Sequence, residues 1–396
     1  MESRRRWGMH RRYGKAGYKT MKTAIIGVGI MGSKYASFIR NGKVDGMELC
    51  ALTRVKDVYK ESIFPEGEVD VPIYESADAL FDAVEKGELE LDAVVIATPH
   101  ASHEAIAVRA FACGLHVLCD KPAGVYSRQA RLMEEAAAES GKVFGMVFNQ
   151  RTQPIYQKLH EIVHSGKYGS IKRVSWVITD WYRPESYYRA SPWRGTWKTE
   201  GGGLLLNQCP HNIDLLQWIC GMPVRVQGFC NEGRYHDIEV EDDVTAYLEW
   251  ENGATGTFIS STGEAPGINR LEISMDEALI VCDGETIKIG ELAETLGGKE
   301  ADYRKTATDF FKKIRGTWSE FIFEKEPQAY EIVLKGFADQ CQGKKGFFVE
   351  GTEGRKSLTI SNAIYLSSWE KRMIELPQKD NEAEFETLFE AWLEKK

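Results

Sequence analysis

The sequence predicts a doubly wound α/β domain built on a parallel sheet, followed by an α+β domain built on a mainly antiparallel one. Three observations carry this. The apolar run Ala24-Ile25-Ile26 has the length and β-branched content of a buried parallel strand. It runs into Gly27, Gly29 and Gly32 in G-x-G-x-x-G spacing, ahead of a stretch that can be helical. Apolar strand-like runs and helical runs then alternate as far as Val147, which is the pattern of βαβ units. From Val224 to Ile289 the chain reads as a succession of strands without intervening helices, the pattern of an antiparallel sheet.

Each glycine of the first stretch has its own reason. Gly27 permits the tight turn out of the strand, Gly29 lets a pyrophosphate approach the backbone, and Gly32 lets the helix pack on the strand. The helix start, with Ile30 and Met31, offers free N–H groups and a partial positive charge to phosphates. The second strand covers 47–52. An acid at its end, about 20 residues past the glycines, would bind the ribose 2′-hydroxyl of an NAD site. Thr53 and Arg54 stand there instead. A hydroxyl with a guanidinium suits a 2′-phosphate, so the expected cofactor is NAD(P) with a lean to NADP.

A short strand at 71–74, a helix at 76–84 and a buried strand at 91–97 lead to Thr98-Pro99-His100. Ser102 can cap the helix that runs to Phe111, and Gly114 stops it. The strand 116–119 ends at Asp120-Lys121-Pro122, a helix follows over 127–140, and 143–147 is a further strand. Ligands of such sheets bind beyond the carboxyl ends of the strands. Thr98, Pro99, Asp120 and Lys121 are therefore expected near the dinucleotide.

After Asn149 the sequence predicts a helix over 154–165, a strand over 171–179 and a loop over 180–197 rich in Trp, Tyr and Arg. Gly201-Gly-Gly203 then leads into a helix through His211 and Asp214 to Cys220. Late helices are expected near 326–342 and 353–370. The acidic tail 378–396 carries Phe385, Leu388, Phe389 and Trp392 at helical spacing, a stripe read as packing. The expected division is a dinucleotide domain over 21–148, a substrate and oligomerisation domain over 149–377, and the helical tail.

Composition excludes several classes. The chain has 396 residues, 43% hydrophobic and 28% charged, ordinary for a globular protein. A net charge of −9 provides no electrostatic footprint for nucleic acid. No apolar run approaches the roughly 18–20 residues of a membrane span. The eight cysteines lack C-x-x-C spacing and read as free thiols of a reducing compartment, so a cytoplasmic protein without nucleic-acid or membrane partner is expected. Residues 1–20 are basic (Arg4, Arg5, Arg6, Arg11, Arg12, Lys15 and Lys19 against Glu2) and have no apolar segment. They are expected to be a disordered extension, with the fold starting at Met21.

A dinucleotide site implies hydride transfer, which leaves the proton to be accounted for. Lys121, beside Asp120 at a strand end, can bind a substrate hydroxyl and share in proton transfer. His211 opens an apolar helix next to a Gly-rich loop, and histidine accepts a proton from an alcohol near neutral pH. Asn207 precedes it at i, i+4 spacing, on the same face if the turn is helical. His160-Glu161-Ile162-Val163-His164 matches a zinc-binding pattern. No third ligand is in place for it, so it is read as a solvated helix face and no metal is assigned.

Four segments together resemble one family: Gly27-x-Gly29-x-x-Gly32; Ala97-Thr98-Pro99 with His103; Gly114-Leu-His116-Val-Leu-Cys-Asp120-Lys121-Pro122; and Gly201-Gly-Gly203 through His211-x-x-Asp214. They look like the glucose-fructose oxidoreductase / inositol dehydrogenase / rhizopine catabolism (Gfo/Idh/MocA) family over about residues 21–377. The resemblance implies a Rossmann domain joined to an open-faced antiparallel sheet, and oxidation or reduction of a sugar, cyclitol or related polyol. It places Lys121 at the lysine of the family's Glu-Lys-Pro motif and His211 at its catalytic histidine. His103 joins the cofactor set.

Two residues depart from the pattern. Asp120 replaces the commoner glutamate, and Asn207 stands where many members carry an aspartate. Asparagine supplies no charge to raise the histidine, although it can still hydrogen-bond. In the aromatic loop and just before it, Arg151, Asp180, Tyr182, Trp193 and Arg194 are candidate sugar contacts, with flat apolar faces and fixed polar groups. Two alternatives are a redox-neutral elimination or isomerisation on a tightly held NAD, and a sugar- or cofactor-sensing regulator. A homodimer or homotetramer is expected from an exposed sheet face.

Overall fold

The computed structural model describes residues 5–6, 20–292, 308, 311 and 316–396. Apart from β1 (Arg5–Arg6) and Thr20, the basic extension expected over 1–20 lies outside these residues.

The first domain is a six-stranded, all-parallel sheet. Its strands are β2 (Met21–Ile26), β3 (Met47–Thr53), β4 (Ile73–Tyr74), β5 (Ala93–Ile96), β6 (His116–Cys119) and β7 (Phe144–Met146), in the order β4-β3-β2-β5-β6-β7. The central strands are buried on both faces. Ala24, Ile25, Val94, Val95, Ile96 and Val117 are completely inaccessible, as near-continuous β-branched runs predict. The order reverses at β2, so β2 and β5 flank the switch point where a ligand crevice opens.

The second sheet has ten strands. They include β8 (Ile171–Ile178), β9 (Arg225–Glu232), β10 (Glu241–Glu249), β11 (Thr255–Ser261), β12 (Asn269–Met275), β13 (Ala278–Asp283), β14 (Thr286–Leu292), β15 (Gly316–Ile322) and β16 (Ile374–Glu375). The order is β1-β15-β14-β13-β12-β8-β11-β10-β9-β16. Pairing is antiparallel except for β8 with β11 and β1 with β15.

Three differences from the sequence reading have physical causes. β15 escaped it because that strand lies near the sheet edge with its residues exposed or half-buried, so no apolar alternation marks it. The loop over 180–197 contains a short helix, Glu185–Arg189. The single helix expected through His211 is two, Leu204–Asn207 and Pro210–Cys220, because Pro210 takes the first helical position of the second.

Helix Thr352–Glu370 ties the two sheets together. It packs against β9, helix Ser127–Ser140 and helix Pro210–Cys220. Its Asn362 accepts from the Ser127 N–H at 2.9 Å and donates to the Val125 carbonyl at 3.4 Å, which fastens the segment just after Lys121-Pro122. The tail forms helix Glu382–Leu393, whose Phe385 and Phe389 are buried.

Candidate active site

The cradle at the end of β2 is shaped by its glycines. Gly27 has φ +90°, and a Cβ there would come within 2.6 Å of the Thr98 methyl. A Cβ on Gly32 would lie 2.1 Å from the Gly27 carbonyl oxygen. Gly29 is the opposite case: a Cβ there would have no neighbour within 4 Å, so its backbone faces open space. Helix Ile30–Arg40 follows with neither a side-chain cap nor an acid in its first turn. Its leading N–H groups are therefore left for an anion. Ile30 stands 64% exposed at this mouth, with Met31 half-buried behind it. Open backbone, unfilled N–H groups and an exposed apolar side chain together fit a dinucleotide.

At the end of β3 one expectation is corrected. Thr53 is 2% exposed, and its hydroxyl accepts the Gly27 N–H at 2.9 Å. It holds the turn rather than facing a ribose. Arg54 is exposed, with φ +49° and its Nε donating to the Glu75 carbonyl at 2.7 Å.

The next two strand ends are braced together. His103 is fully buried, with Nδ1 2.8 Å from the Pro122 carbonyl and Nε2 2.8 Å from the Thr98 carbonyl. Burial pushes its pKa down, yet two carbonyls are both satisfied only by an imidazolium with two donors. Either way neither nitrogen is free, so the expected cofactor contact is instead a strut that fixes Thr98 relative to Lys121. Thr98 accepts from the Ser102 hydroxyl at 2.8 Å, and Pro99 is exposed. The Asp120 carboxylate accepts from the Lys121 N–H at 3.0 Å and the Tyr35 hydroxyl at 3.3 Å, which commits it to the turn.

A cluster of polar side chains joins the two domains. Lys121 donates from Nζ to the Asn207 backbone carbonyl at 2.7 Å. Burial lowers its pKa, opposed by the carboxylates of Asp120 and Glu200. His211, at the start of helix Pro210–Cys220, is pushed down to about 3, by burial first and the Lys121 charge second. Its imidazole is therefore neutral at physiological pH. Nδ1 of His211 is buried with no partner among the described residues. The Asn207 amide Nδ2 donates to Glu200. The Gly-rich loop beneath is anchored by Glu241, which accepts from Gly203 N–H at 2.9 Å, Leu205 N–H at 2.8 Å and the Tyr365 hydroxyl at 2.6 Å.

The aromatic loop divides. Trp193 meets the His100 ring edge-on at 5.7 Å, and the Arg194 guanidinium lies 3.9 Å from the Tyr187 ring centre. Tyr187 receives a hydrogen bond from Gln208 at 3.3 Å, next to Asn207 in the chain. Trp193 and Arg194 thus border the cluster. Tyr182 is 50% exposed and Asp180 is exposed. Arg151 is a correction: it is 6% exposed and tied to Asp214 at 2.6 and 2.8 Å and to Glu353 at 2.6 Å. These bonds tie the His211 helix to helix Thr352–Glu370, so Arg151 serves as an internal clamp and not as a substrate contact.

Two residues escaped sequence reasoning. Glu200 is a buried carboxylate in the middle of the cluster, signalled only by its place directly before three glycines. His100 is buried with its Nδ1 unpartnered, and burial holds it well below the usual imidazole range. The His160–His164 pair packs on Trp218: the His160 ring stacks at 4.2 Å and His164 Nε2 lies 3.3 Å from the Trp218 carbonyl. Among the described residues no three His, Cys, Asp or Glu side chains are grouped to hold a metal.

Comparison with known proteins agrees with this layout. Residues 21–148 match the family described as "Oxidoreductase family, NAD-binding Rossmann fold", and residues 156–281 match the "GFO/IDH/MocA C-terminal domain". Levoglucosan dehydrogenase of Pseudarthrobacter phenanthrenivorans is 26% identical over 54% of this chain and 60% of its own length. Myo-inositol 2-dehydrogenase of Thermotoga maritima is 22% identical over 90% of this chain and 99% of its own. Among solved structures, the WlbA dehydrogenase from Bordetella pertussis, in complex with NADH and UDP-GlcNAcA, superposes with a TM-score of 0.72. That superposition covers 91% of this chain and all of the other at 23% identity, a likeness of fold. No helix among the described residues is long and apolar enough to cross a membrane.

Proposed function

This chain belongs to the Gfo/Idh/MocA family of NAD-binding oxidoreductases, and from that premise we propose that it is an NAD(P)-dependent dehydrogenase or reductase acting on a carbinol carbon of a sugar, cyclitol or related polyol. The observation that carries the reading is the meeting of Lys121, Asn207 and His211 beside the glycine cradle. The bound cofactor supplies the hydride acceptor or donor at its nicotinamide C4.

The chain's own residues handle the oxygen and its proton. Lys121, held by the Asn207 carbonyl, hydrogen-bonds and polarises the substrate oxygen. His211, neutral in the free protein, accepts the hydroxyl proton in oxidation and returns it in reduction. Asn207 adds a polar contact to the same substrate. Trp193 and Arg194 offer a flat, cation-rimmed wall for a sugar ring, and Asp180 and Tyr182 line its approach. Levoglucosan and myo-inositol dehydrogenases among the relatives support a polyol.

For the cofactor, NADP over NAD now rests on Arg54 alone, since Thr53 is turned inward. The protein works in the cytoplasm as a homodimer or homotetramer. Phe229 and Trp318, 57% and 54% exposed on the large sheet, support such pairing. Light scattering at the 44.7 kDa monomer mass would remove the oligomer.

The test is calorimetric titration with NADH and NADPH after removal of carried-through cofactor, then a polyol screen followed by nicotinamide absorbance. NADPH binding at least tenfold tighter, about 1.4 kcal/mol, supports Arg54 as the 2′-phosphate contact; equal or NADH-favoured binding sinks it. Full turnover by both Lys121→Ala and His211→Ala would sink the catalytic assignment.

A further inference from the structure

Glu200 belongs to none of the motifs that identify the site, yet it sits at its centre. It is 1% exposed. Its carboxylate accepts from the Gly195 N–H at 2.6 Å and from the Asn207 side-chain amide. Asn207 in turn accepts the Lys121 ammonium on its backbone carbonyl at 2.7 Å. One residue thus links a cation from the parallel-sheet domain to an anion just before the Gly-rich loop. The Asp120 carboxylate, the other acid acting on Lys121, already accepts from the Lys121 N–H and the Tyr35 hydroxyl.

We propose that Glu200 is a positioning residue of the reaction: its buried carboxylate fixes the orientation of the Asn207 amide and adds to Asp120 a second counter-charge that helps keep Lys121 an ammonium. An ammonium shut away from water loses hydration, and only a nearby anion offsets that loss. Glu200 is shielded from solvent, so little screening weakens its field. With Nδ2 of Asn207 committed to Glu200, the amide turns its oxygen, an acceptor, to the remaining side.

The groups acting on Glu200 are Arg194 and Lys121, with Tyr188 and His100 also beside it. Burial pushes its carboxyl up to about 7, against the pull of the Gly195 N–H, Asn207, Arg194 and Lys121. Its charge is therefore in place on the alkaline side of neutrality.

The test follows the titration of Lys121 itself, by NMR of the protein with isotope-labelled lysine and bound NADH. The Lys121 signal is identified by its loss in Lys121→Ala. Glu200→Gln should move the Lys121 midpoint down by about one pH unit. The double variant Glu200→Gln/Asn207→Asp exchanges carboxylate and carboxamide between the same two positions, and it should return most of that shift. A midpoint that stays put in Glu200→Gln overturns the proposal.

If Glu200→Gln does not fold, Glu200→Asp decides. It keeps the charge but draws it back from Asn207, so the midpoint stays near wild type while kcat/KM falls at least about tenfold. A displaced midpoint or an unchanged kcat/KM overturns the proposal. The kinetic arm rests on the dehydrogenase reading and the NMR arm does not. Turnover that survives Lys121→Ala would sink that reading and leave the Lys121 titration standing as evidence on Glu200.

Discussion

The Lys121 ammonium lies 2.7 Å from the backbone carbonyl of Asn207. A side chain that leaves the end of a parallel strand is thus held by the helical loop of the other domain. The lysine is set at the junction of the two sheets.

Replacing Lys121 by alanine removes that link and the polarising charge. We expect kcat to fall by about 10²–10⁴-fold, the range of a lost general acid–base group. Affinity for NADH should change little, because the phosphate cradle lies on Gly29 and the following helix. Calorimetry beside steady-state kinetics checks both, and a parallel loss of cofactor affinity would count against a role confined to substrate.

Gly29 and Gly27 should separate binding from folding. Gly29→Ala adds a methyl where nothing lies within 4 Å, so the melting temperature should hold. The methyl projects into space meant for a pyrophosphate, and NADH affinity should fall about tenfold or more. Gly27→Ala meets Thr98 at 2.6 Å with φ +90° and should lower the melting temperature. Equal thermal stability of the two variants would contradict this division.

Arg151→Met leaves Asp214, which is fully buried, without its cation. A destabilisation of about 3–5 kcal/mol is expected in urea denaturation. Burial already raises the Asp214 carboxyl to about 6. The double variant Arg151→Met/Asp214→Leu should recover much of the loss, since an apolar pair costs no charge desolvation. A single variant as stable as wild type would restore Arg151 to the list of candidate substrate contacts.

His211 should make the protein acid-sensitive. Its imidazole takes a proton near 6.5 in the unfolded chain, and the folded protein holds it down to about 3. Between those values unfolding takes up a proton, so stability falls as pH drops from 6.5 towards 3. His211→Asn should lose melting temperature less steeply over that window. Carboxyls raised by burial, such as Glu241 at about 7, push stability the opposite way, so the slope difference between variant and wild type is the informative quantity. Parallel curves would show that His211 titrates normally.

Much of the fold was legible because its signals are local. A β-branched run before spaced glycines can hardly be anything but a strand entering a tight turn, and Gly27 and Gly32 show the contacts that forbid a side chain. The turn that carries Lys121 after β6 and the helix start that carries His211 were legible for the same reason, each beside a turn or glycine signal. β15 was not, since a strand near the sheet edge whose residues are exposed or half-buried carries no apolar alternation. Thr53, His103 and Arg151 were read as ligand contacts and are internal braces. Residue type alone does not say whether a polar side chain faces a ligand or a backbone carbonyl.

By itself the sequence determined the parallel sheet, the glycine cradle at its switch point, the α+β partner and the two residues expected to move the proton. These depend on periodicity, turn chemistry and residue type, which are properties of short stretches. Only the tertiary structure decided which polar groups meet. It brought Glu200 to Asn207 across the Gly-rich loop, and Asn207 to Lys121 across the domain junction. It also spent Arg151 on Asp214 and Glu353. The reason is electrostatic: a buried charge must find a partner wherever the packing of distant segments puts one, and that partner is not written in the local sequence.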